Sequence, residues 1–394
     1  MREFGLKREE IELKLNNKLS KDCDFTSGYI LGSMCTEPLD FARDIYSRYL
    51  HINVGDKGIS PCTANFEEHL ISDIGELFHG ENLVGNFTSG GTEGNIIAIR
   101  IAKKFKPLIK TPEVIVSESA HLSFEKLADL IGVRIVKADL TDDLVVDIED
   151  VREKVNKNTC GLVGIAGTTG LGLVDPIPEL GEIASENDLF LHIDAAFGGF
   201  ILPFMKELGY SIPSWDFSVQ GVNSITADPH KMGMGIIPTG TFLIREDENL
   251  KKLKFEIPYL AGGSFHHFNL TGTRPGASVV AFWAVYNYLG LEGYKRIVKE
   301  CLDNTTYLKN RISEIENVKI KIEPQTNVIG LTLEDDSDIS ILNQKLKKKG
   351  WKLGEFDKLN FLRIVCMPHV KREHLDRFCI DLKSVIKEIT LKQF

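Results

Sequence analysis

The sequence predicts an α/β protein: a large, mostly parallel, seven-stranded sheet domain followed by a small C-terminal α/β domain. Three observations predict it. Between residues 82 and 244, short apolar runs rich in β-branched residues alternate with segments of helical periodicity, the pattern of a sheet covered on both faces. Polar residues able to do chemistry fall just beyond the ends of those runs, where ligands collect in such sheets. From residue 291 onward the helix and strand alternation resumes, and 394 residues suffice for two cores. The expected division is residues 1–60 as an N-terminal arm with helices, 61–290 as the large domain and 291–394 as the small one.

In chain order, residues 8–20 suggest a short amphipathic helix, of the kind that as an arm packs on a neighbouring subunit, and residues 26–36 a loop. A helix follows Pro38 over residues 38–50, then a glycine-bearing loop, then a helix over residues 65–78. Residues 82–88 (NLVGNFT) lead into the turn Ser89-Gly90-Gly91-Thr92 and a helix over 93–105. Strands are expected at 114–117, 133–137, 161–166, 189–194, 222–227 and 240–244, with helices at 122–130, 148–155 and 177–186 between them. The small domain reads as a helix over 291–315, a strand at 328–333, a helix at 339–348, a strand at 361–366 and a helix at 372–386.

Composition excludes several classes. Fifty-six acidic against 47 basic residues leave a formal charge of -9, so no nucleic acid or other polyanionic partner is expected, and the lysine-rich pieces read as solvated surface. Seven cysteines without a CxxC pair suggest free thiols in a cytoplasmic protein. No run approaches the roughly 18 apolar residues of a membrane span, and the N-terminus lacks a signal-peptide pattern. No metal site is expected: His266 and His267 are adjacent rather than helically spaced, and His369 and His374 have no thiolate partner.

The chemistry centres on residues 192–231. Asp194 ends the apolar run LFLHID, and Lys231 follows the run VNSITA within Asp228-Pro229-His230-Lys231. An acid at one strand end and an amine at the next can grip the two ends of a flat aromatic cofactor. Pyridoxal phosphate needs that pair: a carboxylate keeps its ring nitrogen protonated, and a lysine holds its aldehyde. Ala195 and Ala196 leave room for a planar ring, and the flexible Met232-Gly233-Met234-Gly235 lets the lysine move aside. The Gly90-Gly91-Thr92 turn before a helix suits one small phosphate, since it has neither the P-loop lysine nor a GxGxxG spacing. His121, beyond another strand, is placed to stack on the ring. Thr168 is placed to bond a ring substituent, and Ser224 and His230 to complete the polar wall.

Several stretches carry a resemblance: 89–95 (SGGTEGN), 119–121, 167–169, 192–199 (HIDAAFGG), 228–233 (DPHKMG), 272–276 (GTRPG) and 362–369 (LRIVCMPH). In this order the chain resembles the pyridoxal-phosphate-dependent group II amino-acid decarboxylases, and most of all the archaeal L-tyrosine/L-aspartate decarboxylases. The resemblance implies a fold-type I enzyme whose residues 61–290 bind the cofactor. It assigns the aldehyde to Lys231, the ring nitrogen to Asp194, ring stacking to His121, and the phosphate to Gly90, Gly91, Thr92 and His230. It also implies a homodimer with active sites near the subunit interface, Thr273 reaching the phosphate of the partner subunit, and Arg363 binding a substrate carboxylate.

The implied reaction releases CO2 from L-tyrosine to give tyramine, from L-aspartate to give β-alanine, or both. The corresponding pathways are methanofuran and coenzyme A synthesis. Tyr259 is the candidate proton donor, with His266 and His267 behind it, and those histidines with Arg274 are candidate clamps for a second substrate carboxylate. The residues leave open a lyase for a phosphorylated long-chain amino alcohol, an aminotransferase, and a desulfurase acting through Cys35 or Cys366. A non-catalytic binding or scaffold protein is a further alternative, disfavoured because Lys231 and Asp194 are both present.

Overall fold

A computed structural model describes residues 2–246, 254–267, 269–335 and 337–390, without the side chains of Ser264, His266 and His267. The first seven strands are β1 (Leu83–Thr88), β2 (Glu113–Ser117), β3 (Arg134–Ala138), β4 (Thr159–Ile165), β5 (Phe190–Asp194), β6 (Val222–Ala227) and β7 (Gly240–Arg245). They form one sheet in the order β1-β7-β6-β5-β4-β2-β3. The run from β3 to β6 is parallel, and β7 lies antiparallel between β6 and β1. Every residue of β4 and β5 is buried, as their unbroken apolar runs require of strands covered on both faces. β3, at one edge, keeps Arg134 and Lys137 at its margin, charges that discourage pairing with another strand.

The helices before and within this region are α1 (Arg8–Leu19), α2 (Asp40–Arg48), α3 (Pro61–Leu77), α4 (Gly91–Phe105), α5 (Ser123–Ile131), α6 (Ile148–Lys154), α7 (Ile177–Glu186) and α8 (Leu202–Glu207). Their ends follow local chemistry. Pro61 opens α3, Asp147 caps α6 by accepting from the amides of Glu149 and Asp150, and Gly132 ends α5 in the left-handed region at φ 66°. α1 buries none of its residues. Two strands, β8 (Phe255–Leu260) and β9 (Gly263–His267), make a separate antiparallel hairpin.

A 38-residue helix, α9 (Gly276–Ser313), leads out of the large sheet and breaks at Gly290, where φ is 53° and ψ is -171°. Before the break, Trp283 stacks on Phe66 of α3 and Tyr288 meets Phe41 of α2; after it, Asn304 donates to the Val370 carbonyl. The remaining elements are β10 (Val318–Ile320), β11 (Val328–Leu333), α10 (Ile339–Lys348), β12 (Gly354–Phe356), β13 (Phe361–Val365) and α11 (Arg372–Thr390). They build a four-stranded antiparallel sheet in the order β10-β11-β13-β12, with α9 packed on β10 and β11, α10 on β13, and α11 on α9 and α10. The N-terminal segment joins this sheet: the Leu31 and Gly32 amides donate to the Lys352 carbonyl, and the Val365 amide donates to that of Leu31. That attachment brings residues 31–36 to the chemical end of the large sheet. No described helix is long and apolar enough to cross a membrane.

Candidate active site

A cavity of about 360 Å³ opens at the carboxyl ends of the central strands. Its walls include Gly90, Gly91, Thr92, His121, Asp194, Ala196, His230 and Lys231, so the structure brings together the residues singled out for the cofactor's ring, phosphate and aldehyde. A larger depression of about 870 Å³, lined by charged residues of α9 and by Lys371 and Arg372, lies elsewhere and holds none of these groups.

Each group is positioned by the element before it. β5 delivers Asp194 at its last residue, and the Ala196 amide bonds back to Asp194 Oδ1 at 3.1 Å. Asn95, in the second turn of α4, donates to Asp194 Oδ2 at 2.9 Å. β6 ends at Ala227, and the turn after it sets Lys231 Nζ 3.1 Å from Asp228 Oδ2. His230 Nδ1 accepts from the Thr239 amide at 3.2 Å, which leaves the proton of the neutral ring on Nε2. Burial first, partly offset by Asp228, holds the His230 pKa below its ordinary value. His121 Nδ1 accepts from the Ser123 amide at 3.1 Å; enclosure lowers its pKa, with Asp194 pulling the other way.

The phosphate-sized end is built from backbone. α4 begins without a side-chain cap, leaving first-turn amides such as those of Gly91 and Thr92 for an anion, with the helix's positive end behind them. Gly90 sits at φ 145°, a conformation open to glycine, and a Cβ on Gly91 would stand 2.9 Å from the Ala196 Cβ and 3.2 Å from Asp228 Oδ2. Glu93 braces the turn by accepting from the Ser89 amide and hydroxyl at 2.8 and 2.9 Å. Acid, amine, flanking imidazole and anion cradle in one cavity fit pyridoxal phosphate.

Some readings need correction. Ser224 does not line the cavity: it lies three residues before the end of β6, fully buried, with its Oγ 2.9 Å from His192 Nδ1. Thr168 is also buried, and its Oγ1 accepts from the Leu173 amide at 3.0 Å; Thr169, one residue on, is the threonine that reaches the cavity. Arg274 is no substrate clamp, because it is buried in a bidentate pair with Glu67 and also donates to the Phe87 carbonyl at 3.1 Å. Thr273 is exposed and does not line its own chain's cavity. Tyr259 is 82% exposed on the β8–β9 hairpin, likewise outside that cavity. The side chains of His266 and His267 lie outside the described residues. Cys366 is fully buried with its thiol pushed up to about 12, and burial raises the thiol pKa of Cys35 as well, so neither is an activated thiolate.

Arg363, on β13 of the small sheet, does not line the cavity itself but reaches the loop after β4 that does. It donates to the Thr169 carbonyl at 2.7 Å and to the Gly32 carbonyl at 2.5 Å, lies over the Phe356 ring, and leaves a buried Nε without a partner among the described residues. Three polar residues of the cavity wall were given no role from the sequence, although they stand in the motif stretches: Asn95, Asp228 and Thr169. Asn95 carries a usable signal, since it follows Gly91 by four positions and so shares a helix face with the phosphate turn.

Residues 41–333 match the family model described as the pyridoxal-dependent decarboxylase conserved domain. An L-aspartate/L-glutamate decarboxylase of Pyrococcus horikoshii is 45% identical over 97% of this chain and 98% of its own. A probable L-tyrosine/L-aspartate decarboxylase of Methanosphaera stadtmanae is 39% identical over 98% of each. Among solved structures, a sphingosine-1-phosphate lyase of Burkholderia pseudomallei superimposes with a TM-score of 0.90 at 29% identity, covering 98% of this chain and 92% of that one. The chain therefore belongs to the pyridoxal-dependent decarboxylase family, with the fold-type I architecture, pyridoxal phosphate as cofactor and an amino acid as the substrate that it decarboxylates.

Proposed function

We propose that this enzyme removes the α-carboxylate of L-aspartate to give β-alanine, with L-tyrosine to tyramine as the second reading. One observation supports the reaction type: Arg363 is a half-buried guanidinium held on two backbone carbonyls, with a shielded Nε that has no partner, and it is paired with no carboxylate among the described residues. A partly shielded cation with no carboxylate partner, beside a loop of the cavity wall, suits an acid as ligand, and its fork matches a carboxylate. A phosphorylated amino alcohol has no α-carboxylate to offer there, which weighs against the lyase alternative despite the likeness to the Burkholderia enzyme. The named activities of the Pyrococcus and Methanosphaera relatives support aspartate first and tyrosine second.

The chain's own groups divide the work. Lys231 would hold the cofactor's aldehyde, Asp194 would face its ring nitrogen and favour the protonated form, and His121 would stack on the ring face opposite Ala196. Gly90, Gly91, Thr92 and His230 hold the phosphate, joined by Thr273 of a second copy in a homodimer. Pyridoxal phosphate supplies the electron sink for the pair released as the bond to CO2 breaks. Tyr259 then returns a proton to Cα, from a hairpin whose exposure suits service at a neighbouring subunit's site. Seven free thiols fit a reducing cytoplasm. β-Alanine as product would serve coenzyme A synthesis, and tyramine would serve methanofuran synthesis.

The test is CO2 release from aspartate, glutamate, tyrosine and cysteate with the loaded enzyme. Release from aspartate at the highest kcat/KM is expected; a preference for tyrosine selects the second reading, and no release from any of them refutes both.

A further inference from the structure

We infer that Ser224, His192 and Asn95 form a one-way hydrogen-bond chain that orients the Asp194 carboxylate, making Asn95 and His192 positioning residues for the cofactor's acid. The inference rests on the reading that Asp194 faces the ring nitrogen. Its geometry comes from strand alternation. His192 and Asp194, two apart on β5, point to one face of the sheet, as do Ser224 and Thr226 on β6, and the register pairs His192 with Ser224 and Asp194 with Thr226. α4 covers that face, with Gly94 lying so close over Thr226 that a Cβ would stand 2.4 Å from its Oγ1. Asn95 is thereby lowered between the two β5 side chains.

The direction of every bond follows from one charge. An ionised carboxylate only accepts, so the group Asn95 turns to Asp194 Oδ2, at 2.9 Å, is its amide Nδ2–H, which also reaches Ser123 Oγ at 3.1 Å. Asn95 Oδ1 is then left facing His192 Nε2 at 2.9 Å, which makes that nitrogen the protonated one. His192 Nδ1 must accept, and Ser224 Oγ–H donates to it at 2.9 Å. All four residues are buried, from 0% exposed for His192 and Ser224 to 6% for Asp194, so no water competes for these bonds. Burial, only partly offset by Asp194, lowers the His192 pKa to about 4 and keeps the ring neutral. Phe242, with its ring centroid 6.5 Å from that of His192, adds no charge. With Asn95 on Oδ2 and the Ala196 amide on Oδ1, each carboxylate oxygen is fixed by one donor and retains a lone pair for the ring N–H.

The test reads the chain before activity. In protein labelled with 15N-histidine, with His192 assigned by the resonance lost in His192→Gln, cofactor-free wild type should show the neutral Nε2–H tautomer from pH 8 to 5. An Nδ1–H tautomer or a cation at pH 7 overturns the inference. Asn95→Leu should release the tautomer preference, weaken pyridoxal phosphate binding and lower kcat by about ten- to hundredfold with KM within twofold, the loss expected for one buried hydrogen bond to a charge. Unchanged kcat and cofactor affinity in that variant also overturn it. Should Asn95→Leu not fold, Ser224→Ala leaves Asn95 and Asp194 untouched: an Nδ1–H population with kcat down at least threefold supports the chain, and wild-type tautomer and kcat refute it. If wild type shows no borohydride-trappable band with pyridoxal phosphate, the reading of the cofactor site fails, while the tautomer of the cofactor-free protein still decides the hydrogen-bond chain.

Discussion

Replacing Arg363 with leucine should separate substrate recognition from cofactor binding. The guanidinium makes no hydrogen bond to the phosphate turn or the Lys231 turn; its bonds go to Thr169 and Gly32, and its Cζ lies 5.5 Å from the Phe356 ring centroid. If it also holds the substrate carboxylate, truncation leaves that carboxylate buried without a partner, a loss of about 3–5 kcal/mol. At 1.36 kcal/mol per decade, kcat/KM should fall by roughly two to four orders of magnitude. Arg363→Lys retains the charge but cannot span both carbonyls and the carboxylate, so it should recover part of the loss. The assay is steady-state CO2 release, alongside visible absorbance of the loaded protein and a thermal melt. The expected result is a much lower kcat/KM with the lysine-linked cofactor band intact. The melt should show a modest loss of stability, because Arg363 also ties the N-terminal segment to the loop after β4. A variant with normal kcat/KM, or one that loses activity only in proportion to lost cofactor, refutes the assignment.

Three further outcomes follow from the site and the core. Lys231→Ala should abolish steady turnover and the borohydride-trapped mass increment while the protein still binds pyridoxal phosphate noncovalently; normal turnover in this variant would rule out Lys231 as the nucleophile. Glu67→Gln should strand the buried Arg274 charge and cost about 3–5 kcal/mol in urea unfolding, and the double variant Glu67→Gln with Arg274→Met should cost less than Arg274 left alone. His192, with its folded pKa depressed to about 4, binds fewer protons folded than unfolded between that value and its ordinary 6.5. Its contribution is complete above pH 6.5 and is lost as pH falls to about 4, on the order of 3 kcal/mol over the window. Denaturant midpoints of His192→Gln should therefore fall less steeply with acid than those of wild type. Asp175, whose pKa burial lifts to about 6, acts with the opposite sign, gaining stability as pH falls, so the comparison holds only between the two proteins at matched pH.

The legible part of the site is the part that local pattern controls. Asp194, Lys231 and His121 stand at or just past the ends of apolar runs, and a run's end is visible without knowing what lies beside it. The glycine turn at 90–91 is equally local, since a backbone that must approach a ligand closely excludes a Cβ. Ser224 and Thr168 were misjudged by small displacements along the chain. Three residues back from a strand's end is a different depth in the sheet, and one residue along a turn points a side chain to a different cavity. Arg274 was misjudged for another reason. Its partner Glu67 stands 207 residues away, and no periodicity reveals which of two buried charges meets the other.

By itself the sequence determined the seven strands of the large sheet and most of the helices, which end of that sheet holds the candidate site, and which acid and amine stand there, because these depend on hydrophobic period and turn chemistry within a few residues. It did not reveal α8, the β8–β9 hairpin, the short strands β10 and β12, or the start of α9 at Gly276. Tertiary structure alone decided that Asn95 and His192 stand behind Asp194, that Asp228 receives the amine of Lys231, and that Arg363 bridges Thr169 and Gly32 across 194 and 331 residues of chain. A buried polar group must be satisfied by whatever the packing of distant elements brings within about 3 Å, and that choice is made by strand register and helix placement rather than by its neighbours in sequence.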